Sequence, residues 1–255
     1  MRSLYVLLLL ASVLFISCSQ DKNKFNLYES GVIAPIQPTI KCQPYQVTAR
    51  PILFESSFFP NIQIQQDSIT LHLDQRFLGN LPVSSGRIVA TDPVALRDTP
   101  FTTIFPHGRF PVELAIAHFD NDARVAFARV VFSNEPVATW QMALVNGQEL
   151  LPITGETYYG YSVDAGIALF MDAAHIHTFN QYLSSDQSAS EKLFINSFKL
   201  DSDSPLPGLL YAANGDTLAT FSTGWGDGSY ATYIGLDAQN KPCRLLTDFQ
   251  VIDWH

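Results

Sequence analysis

The chain has little charge. Asp, Glu, Lys and Arg make up 15% of its 255 residues, and its 15 basic residues form no cluster. Neutralising a phosphate backbone needs grouped Lys and Arg, so no nucleic-acid partner is expected. Cysteine is scarce, at three, and too few for spacing to fix a disulfide framework. No G-x-S-x-G elbow is present, which removes the commonest signature of a serine nucleophile. Gly86 stands alone before a strand-like run, and one glycine without a following helix cannot aim several backbone donors at an anion. The chain also lacks an internal repeat, a low-complexity block and an interdomain linker. One domain is the simplest organisation.

What is present points to β structure. Eighteen Phe, 10 Tyr and 15 Pro accompany a 47% hydrophobic content, a composition suited to strands joined by many turns. At the N-terminus, Arg2 precedes an apolar run from Leu4 to Ile16, too short to span a membrane and built like a secretory signal. Phe15-Ile16-Ser17-Cys18 resembles a bacterial lipobox, which implies cleavage before Cys18 and acylation of its thiol. The competing reading is an ordinary signal peptide with an incidental cysteine. Residues 1–17 are thus expected to be a signal peptide, 18–60 a lipid-anchored tether and proline-rich arm, and 61–255 a single β-rich domain. Arg2 is the only charge before Cys18, so the formal charge of −9 becomes −10 on cleavage. The expected location is a bacterial cell envelope, with the membrane as a partner through Cys18. Cys42 and Cys243 would then meet an oxidising compartment, as a disulfide or as two separate buried thiols.

Taken in order, residues 25–60 carry scattered prolines and read as an extended arm, with one strand near Gln46 to Arg50. Ser68 to Leu73 alternates with period two and predicts a strand, with His72 a half-exposed residue of it. Leu81 to Asp92 reads as a loop, a short strand from Arg87 to Ala90, and a stop at Asp92-Pro93. The clearest hairpin pairs Phe110–Phe119 with Arg124–Phe132. Both its faces are largely apolar, so it should lie central and covered on both sides. Glu113 and Arg129 within it need partners, and pairing with each other across the strands is the favoured solution. Further strands are predicted at Pro136–Val145, on either side of Asp164-Ala165-Gly166, and in hairpins at Gly208–Thr223 and Tyr230–Val251. Between them, Ala173–Tyr182 and Ser190–Phe198 take helical spacing, with Ile176, Phe179, Leu193 and Phe198 on apolar faces. The expected fold is therefore α+β and β-rich: an antiparallel β-sandwich or partly open barrel with one helical insertion.

The stretch Thr223-Gly224-Trp225-Gly226-Asp227-Gly228-Ser229-Tyr230 is the leading candidate site. Trp225 offers a flat face, while Asp227 and Ser229 offer polar groups on a turn. The competing reading is a tight bend, since Asp-Gly is a preferred turn dipeptide. Arg109, on a turn after Pro106, is expected to face Trp225 and Asp227 across a cleft. Asp172, His175 and His177 form D-x-x-H-x-H, but on a helix the two histidines diverge by roughly 200°. Asp172 is better read as a helix cap or ligand-binding acid, and no metal or cofactor is expected. A hydrolase would draw its carboxylates from Asp92, Glu113, Asp164, Asp172, Asp227 and Asp248, with Asp227 or Asp164 as catalyst and Arg109 in support. That chemistry requires several of them to converge on one pocket.

Together these stretches resemble the bacterial family known as domain of unknown function 4241. The resemblance is carried by Ser85-Gly86-Arg87-Ile88-Val89-Ala90 with Asp92-Pro93, Gly108 to Leu114, and Ala126-Ala128-Arg129-Val130. It continues in Trp140 to Leu144, Tyr161 to Gly166, Phe170-Met171-Asp172, Ser222 to Tyr230, and Thr247-Asp248-Phe249. It spans about Leu81 to Val251 and implies no activity. The functional expectation is a lipid-anchored envelope protein whose β domain binds a ligand or protein partner; the alternative is the hydrolase.

Overall fold

Alternating and doubly apolar runs pair into two antiparallel sheets in the computed structural model, which describes residues 50–154, 157–185, 188–198, 206–213 and 215–255. The strands are β1 (Ile62–Gln66), β2 (Ile69–Val83), β3 (Ile88–Thr91), β4 (Gly108–Phe119), β5 (Asp122–Val131) and β6 (Thr139–Met142). They continue with β7 (Gly160–Val163), β8 (Ile167–Asp172), β9 (Gly208–Ala213), β10 (Asp216–Ser222), β11 (Gly228–Leu236) and β12 (Pro242–Asp248). The larger sheet has eight strands in the order β1-β2-β4-β5-β12-β11-β6, with β7 also paired to β11, and curls into a half-barrel. The smaller has four, β3-β8-β10-β9. The described residues all fall in one compact unit. The α+β, β-rich expectation holds, and the half-barrel with a second sheet against it combines both predicted architectures.

The strand β4–β5 pair is central, as its two apolar faces required. Val112, Leu114, Ala115, Ala117, Phe127 and Ala128 are all fully buried. One face meets the smaller sheet, where Phe221 packs on Phe170 and on Phe249. The outer face of the smaller sheet is covered by a helical pair: a 3-10 turn at Ala173–His175, α2 (Ile176–Ser185) and α3 (Ala189–Phe198). Ile176, Phe179 and Leu193 form a second cluster there with Leu169, Met171 and Leu218. Among the described residues, no helix is long and apolar enough to cross a membrane.

Two stretches differ from their sequence-level reading. Strand β2 runs on through Leu81-Pro82-Val83 instead of ending in a loop, because Leu81 and Val83 are buried and pair with Phe110 and Gly108. Strand β1 reaches only to the Leu73 partner. Pro82 therefore lies on a free edge, where its missing N–H is tolerated. The second difference is the segment grouped with the arm. Residues 50–58 fold onto the larger sheet and include α1 (Leu53–Ser56). Phe54 meets Phe127, Trp140, Tyr233 and Trp254 at ring-centroid distances of 5.5, 5.1, 4.9 and 4.7 Å. The C-terminal residues lie beside it: Arg50 N–H donates to the Trp254 carbonyl, and Asp253 N–H to Gln66 Oε1 at 2.8 Å. The predicted strand at Gln46–Arg50 lies outside the described residues except for Arg50, as do the signal segment, Cys18 and Cys42.

The same face holds the charges flagged in the hairpin. Glu113 and Arg129 are direct cross-strand partners, and Arg129 Nε donates to Glu113 Oε2 at 2.8 Å. The pair is half of a larger network. Glu55 from α1 accepts from Arg129 Nη1 at 3.0 Å and from Arg244 Nε and Nη2 at 3.1 and 3.2 Å. Arg244 Nη1 reaches the Ser133 carbonyl at 2.6 Å, and Phe58 lies under the Arg129 guanidinium at 3.8 Å. Two arginines and two glutamates balance, which a poorly solvated cluster requires. Next to it, Cys243 is a buried thiol, while Cys42, the other half of the possible bridge, lies outside the described residues. Cys243 Sγ donates to the Gly235 carbonyl at 3.3 Å, and burial pushes the thiol up to about 11.

Candidate functional site

The bend at residues 223–227 carries the chain from β10 in the smaller sheet to β11 in the larger. It is tied down at several points. Gly226 N–H donates to the Thr223 carbonyl at 2.6 Å, and Thr223 Oγ1 to the Gly226 carbonyl at 2.7 Å. The Tyr230 hydroxyl donates to the same Gly226 carbonyl at 2.7 Å, and burial raises that hydroxyl's pKa. Asp227 Oδ1 accepts from Gly166 N–H at 3.0 Å, joining the bend to the β7–β8 turn. The repeated glycines have separate causes. Gly224 takes φ +41°, and a Cβ there would stand 2.7 Å from the Phe249 carbonyl; Gly226 takes φ +102° in open space.

This scaffold presents Trp225, which is 57% exposed. Its ring lies 5.6 Å from Phe119, and the Arg124 guanidinium sits over it at 5.3 Å. Arg124 is itself held, donating to Asp122 Oδ2 at 2.6 Å and to the Gly224 carbonyl at 3.3 Å. The result is a fixed aromatic and cationic rim. Sequence reasoning missed Phe119 and Arg124 as members. The tight β4–β5 turn, which sets Phe119 opposite Asp122, was the available signal.

The other candidates are dispersed. Arg109 does not face Trp225. It lies ten residues from Phe119 on the same strand, about 33 Å of extended chain, and donates to the Asn80 carbonyl at 3.5 Å. Asp164 and Asp227 do come to adjoining turns, both exposed. Ser229 is exposed too, with its carbonyl accepting from Tyr158 at 3.3 Å. Asp172 sits at the opposite end of β8, about 17 Å of strand from Ile167. The D-x-x-H-x-H residues diverge as helical geometry required. His175 Nδ1 meets Asp216 Oδ1 at 2.7 Å, His177 faces Gln181 at 3.0 Å, and Asp172 faces two serines.

The buried acids instead gather backbone N–H groups. Asp92, fully buried, accepts from Val94, Ala95, Asp164 and Ala165 at 2.6, 3.3, 2.7 and 3.0 Å. Asp172 accepts from Ser84 and Ser85, through both their N–H and hydroxyl groups, and from Ala174 N–H at the helix start. Its predicted capping role holds. Asp237 accepts from Gln239 and Lys241 in the β11–β12 turn, at 2.8 and 2.9 Å. Such bonds fix the loops that supply the donors. Of the two clefts nearest these residues, one is lined by no acid and the other by Asp248 alone.

Asp248 is the exception in its electrostatics. It accepts from Trp254 Nε1 at 2.7 Å and Gln250 N–H at 2.8 Å, yet burial pushes its carboxyl up to about 6. A folded pKa above the unfolded 3.8 means that this group's contribution to stability is full below about pH 4 and is lost as pH rises through about 6. Relative to the non-titrating Asp248→Asn, the wild type is expected to lose about 2 kcal/mol between pH 4 and pH 7. Urea unfolding of both proteins at the two pH values checks this. A difference independent of pH would contradict it.

A model of the family described as "Protein of unknown function (DUF4241)" matches residues 81–247, from the far end of β2 to Thr247 in β12. The matched span contains the bend, Trp225, Arg124 and the Asp92 and Asp172 clamps, while α1, β1 and Trp254 lie outside it. No curated protein and no solved structure matches the chain. By that match, which covers more than half of its length, the chain belongs to the DUF4241 family.

Proposed function

We propose that the chain is an exported, lipid-anchored cell-envelope protein whose β-rich domain binds a ligand or protein partner at the Trp225 rim. The observation that carries the binding role is an exposed indole held rigid from both sides, by the 223–227 bend and by Arg124. Aromatic and arginine groups fixed before contact lose little entropy on binding, which is why they dominate recognition surfaces. The lipobox-like Phe15-Ile16-Ser17-Cys18 supports the anchor.

Two arms test the reading. Cells fed a labelled fatty acid should mark the full chain but not Cys18→Ser, and equal labelling of both would dismiss the anchor. For the rim, the other two tryptophans, Trp140 and Trp254, are buried, so quenching by iodide reports Trp225. Envelope fractions that shield Trp225 from iodide should raise the melting temperature of the wild type but not of Trp225→Ala. If no fraction shields it, the binding role at this rim is wrong.

A further inference from the structure

A concave site opens where β12 ends, a cleft of about 310 Å³. Thr232 of β11 pairs with Thr247 of β12. Ala231 and Asp248, one step further on each strand, therefore point to the opposite face, and Tyr233 joins them there. All three line the cleft, and the small Ala231 beside Asp248 leaves the space. Tyr233 and Trp254 form two of its walls, with ring centroids 5.7 Å apart and planes inclined at 84°. Phe54, which does not line the cleft, packs against both rings at 4.9 and 4.7 Å and holds them in place. Tyr158 stands at the mouth, its hydroxyl accepting from Gln250 Nε2 at 2.7 Å and donating to the Ser229 carbonyl at 3.3 Å. Three aromatic side chains are thus fixed around one space, so little ordering is left to be done on binding.

The charge in that space is negative. Asp248 lines the cleft although it is only 4% exposed, and neither Lys nor Arg lines it. Its carboxylate and the Tyr158 hydroxyl both act on the Tyr233 hydroxyl, so oxygens of all three converge. Glu55 has two arginines beside it, and Asp92 has four N–H donors. Asp248 has two donors, and the positive group acting on it is His255 at the exposed mouth. Burial against so little positive charge raises its carboxyl pKa, a penalty that a cation in the cleft offsets. Each carboxylate oxygen already accepts one bond, Oδ1 from Gln250 N–H and Oδ2 from Trp254 Nε1. What Asp248 has left to offer is mainly charge, and what the rings offer is the negative face of their π-systems. Both suit a cation that donates no hydrogen bond, a quaternary ammonium before a primary one.

We propose that this cleft binds a small trimethylammonium compound, its cationic head among Tyr158, Tyr233 and Trp254 and beside Asp248. A cavity of ~150 Å³ accommodates a six-atom ring, so the space admits the head and a short tail. The site shares no residue with the Trp225 rim and does not depend on it.

The test is calorimetric titration of the full chain at pH 7 with choline, with ethanolamine, and with dimethylbutanol, the uncharged carbon isostere of choline. Choline should bind, with the other two weaker by about tenfold or more. Asp248→Asn should weaken choline by a similar factor, about tenfold. Tyr158→Leu should weaken it by about fivefold, whereas Tyr158→Phe, which keeps the ring, should not. The Tyr158 pair decides the matter even if Asp248→Asn fails to fold, because Tyr158 is only half-buried. Trp225→Ala should leave choline binding unchanged, which separates this result from that of the rim. Displacement of choline by phosphatidylcholine vesicles would mark a lipid headgroup as the source, and its absence a free compound. No heat from choline at ~10 mM would overturn the proposal. So would binding of dimethylbutanol or ethanolamine as tight as that of choline, or unchanged affinity in Tyr158→Leu.

Discussion

Glu55→Ala is expected to lower the unfolding free energy at pH 7 by about 3 to 5 kcal/mol. Among the described residues, Glu55 is the only carboxylate that touches both arginines, at 3.0 Å from Arg129 and 3.1 Å from Arg244. Removing it leaves Arg244, whose side chain is 5% exposed, with no acid beside it. Arg129 would keep only Glu113. An uncompensated charge in such surroundings is far more damaging than a lost surface pair, which contributes at most about 1 kcal/mol. The change also strips α1 of the polar link that ties it to β5 and β12. Urea unfolding checks it, with exposed Glu149→Ala as the reference expected to stay within ~0.5 kcal/mol. A loss below ~1 kcal/mol would mean that the two arginines are solvated as well without Glu55 as with it.

Asp172→Ala has the second-largest expected effect, about 3 kcal/mol at pH 7, because it frees two serine N–H groups and the first donor of the helical insertion together. Burial alone pushes the Asp172 carboxyl up. The Ser85 hydroxyl, the Ala174 and Ser85 N–H groups and the Ser84 hydroxyl outweigh it, and the net pKa falls to about 2. A folded pKa below the unfolded 3.8 gives stability that is present above about pH 4 and lost as pH falls towards 2. The gap between wild type and Asp172→Ala should therefore close on acidification. Asp248 acts in the opposite sense over the neighbouring window, so the two titrations are separable by variant and by pH.

How much of this was legible beforehand depends on how local the cause is. The β4–β5 hairpin follows from period and turn chemistry, and even the Glu113–Arg129 pairing follows from its register. The helical insertion follows from the spacing of Ile176, Phe179 and Leu193, and its start from Asp172. Glu55 was out of reach because its Arg244 partner is 189 residues away and α1 is only four residues long. Nothing local shows that β7 and β8, joined by a three-residue turn, enter different sheets. The bend was found, but the reason for Gly224 is the Phe249 carbonyl, a tertiary contact. Arg109 looked close to the site because strand length was not weighed. The acids looked like catalytic candidates because a sequence shows carboxylates and hides the N–H groups that surround them.

The central claim is that Asp92 and Asp172 clamp loops, whereas Asp164 and Asp227 lie exposed on adjoining turns, with one N–H bond recorded to the Asp227 side chain. Urea unfolding at pH 7 of the four Asp→Asn variants tests it most directly. An amide nitrogen at Asp92 or Asp172 would face N–H donors, so each should lose about 2 kcal/mol or more. Asp227→Asn keeps an oxygen for Gly166 N–H, and Asp164 uses only its backbone, so both should stay within ~1 kcal/mol of wild type. Four variants of equal, wild-type stability would contradict the clamp assignment and return these acids to candidacy for chemistry.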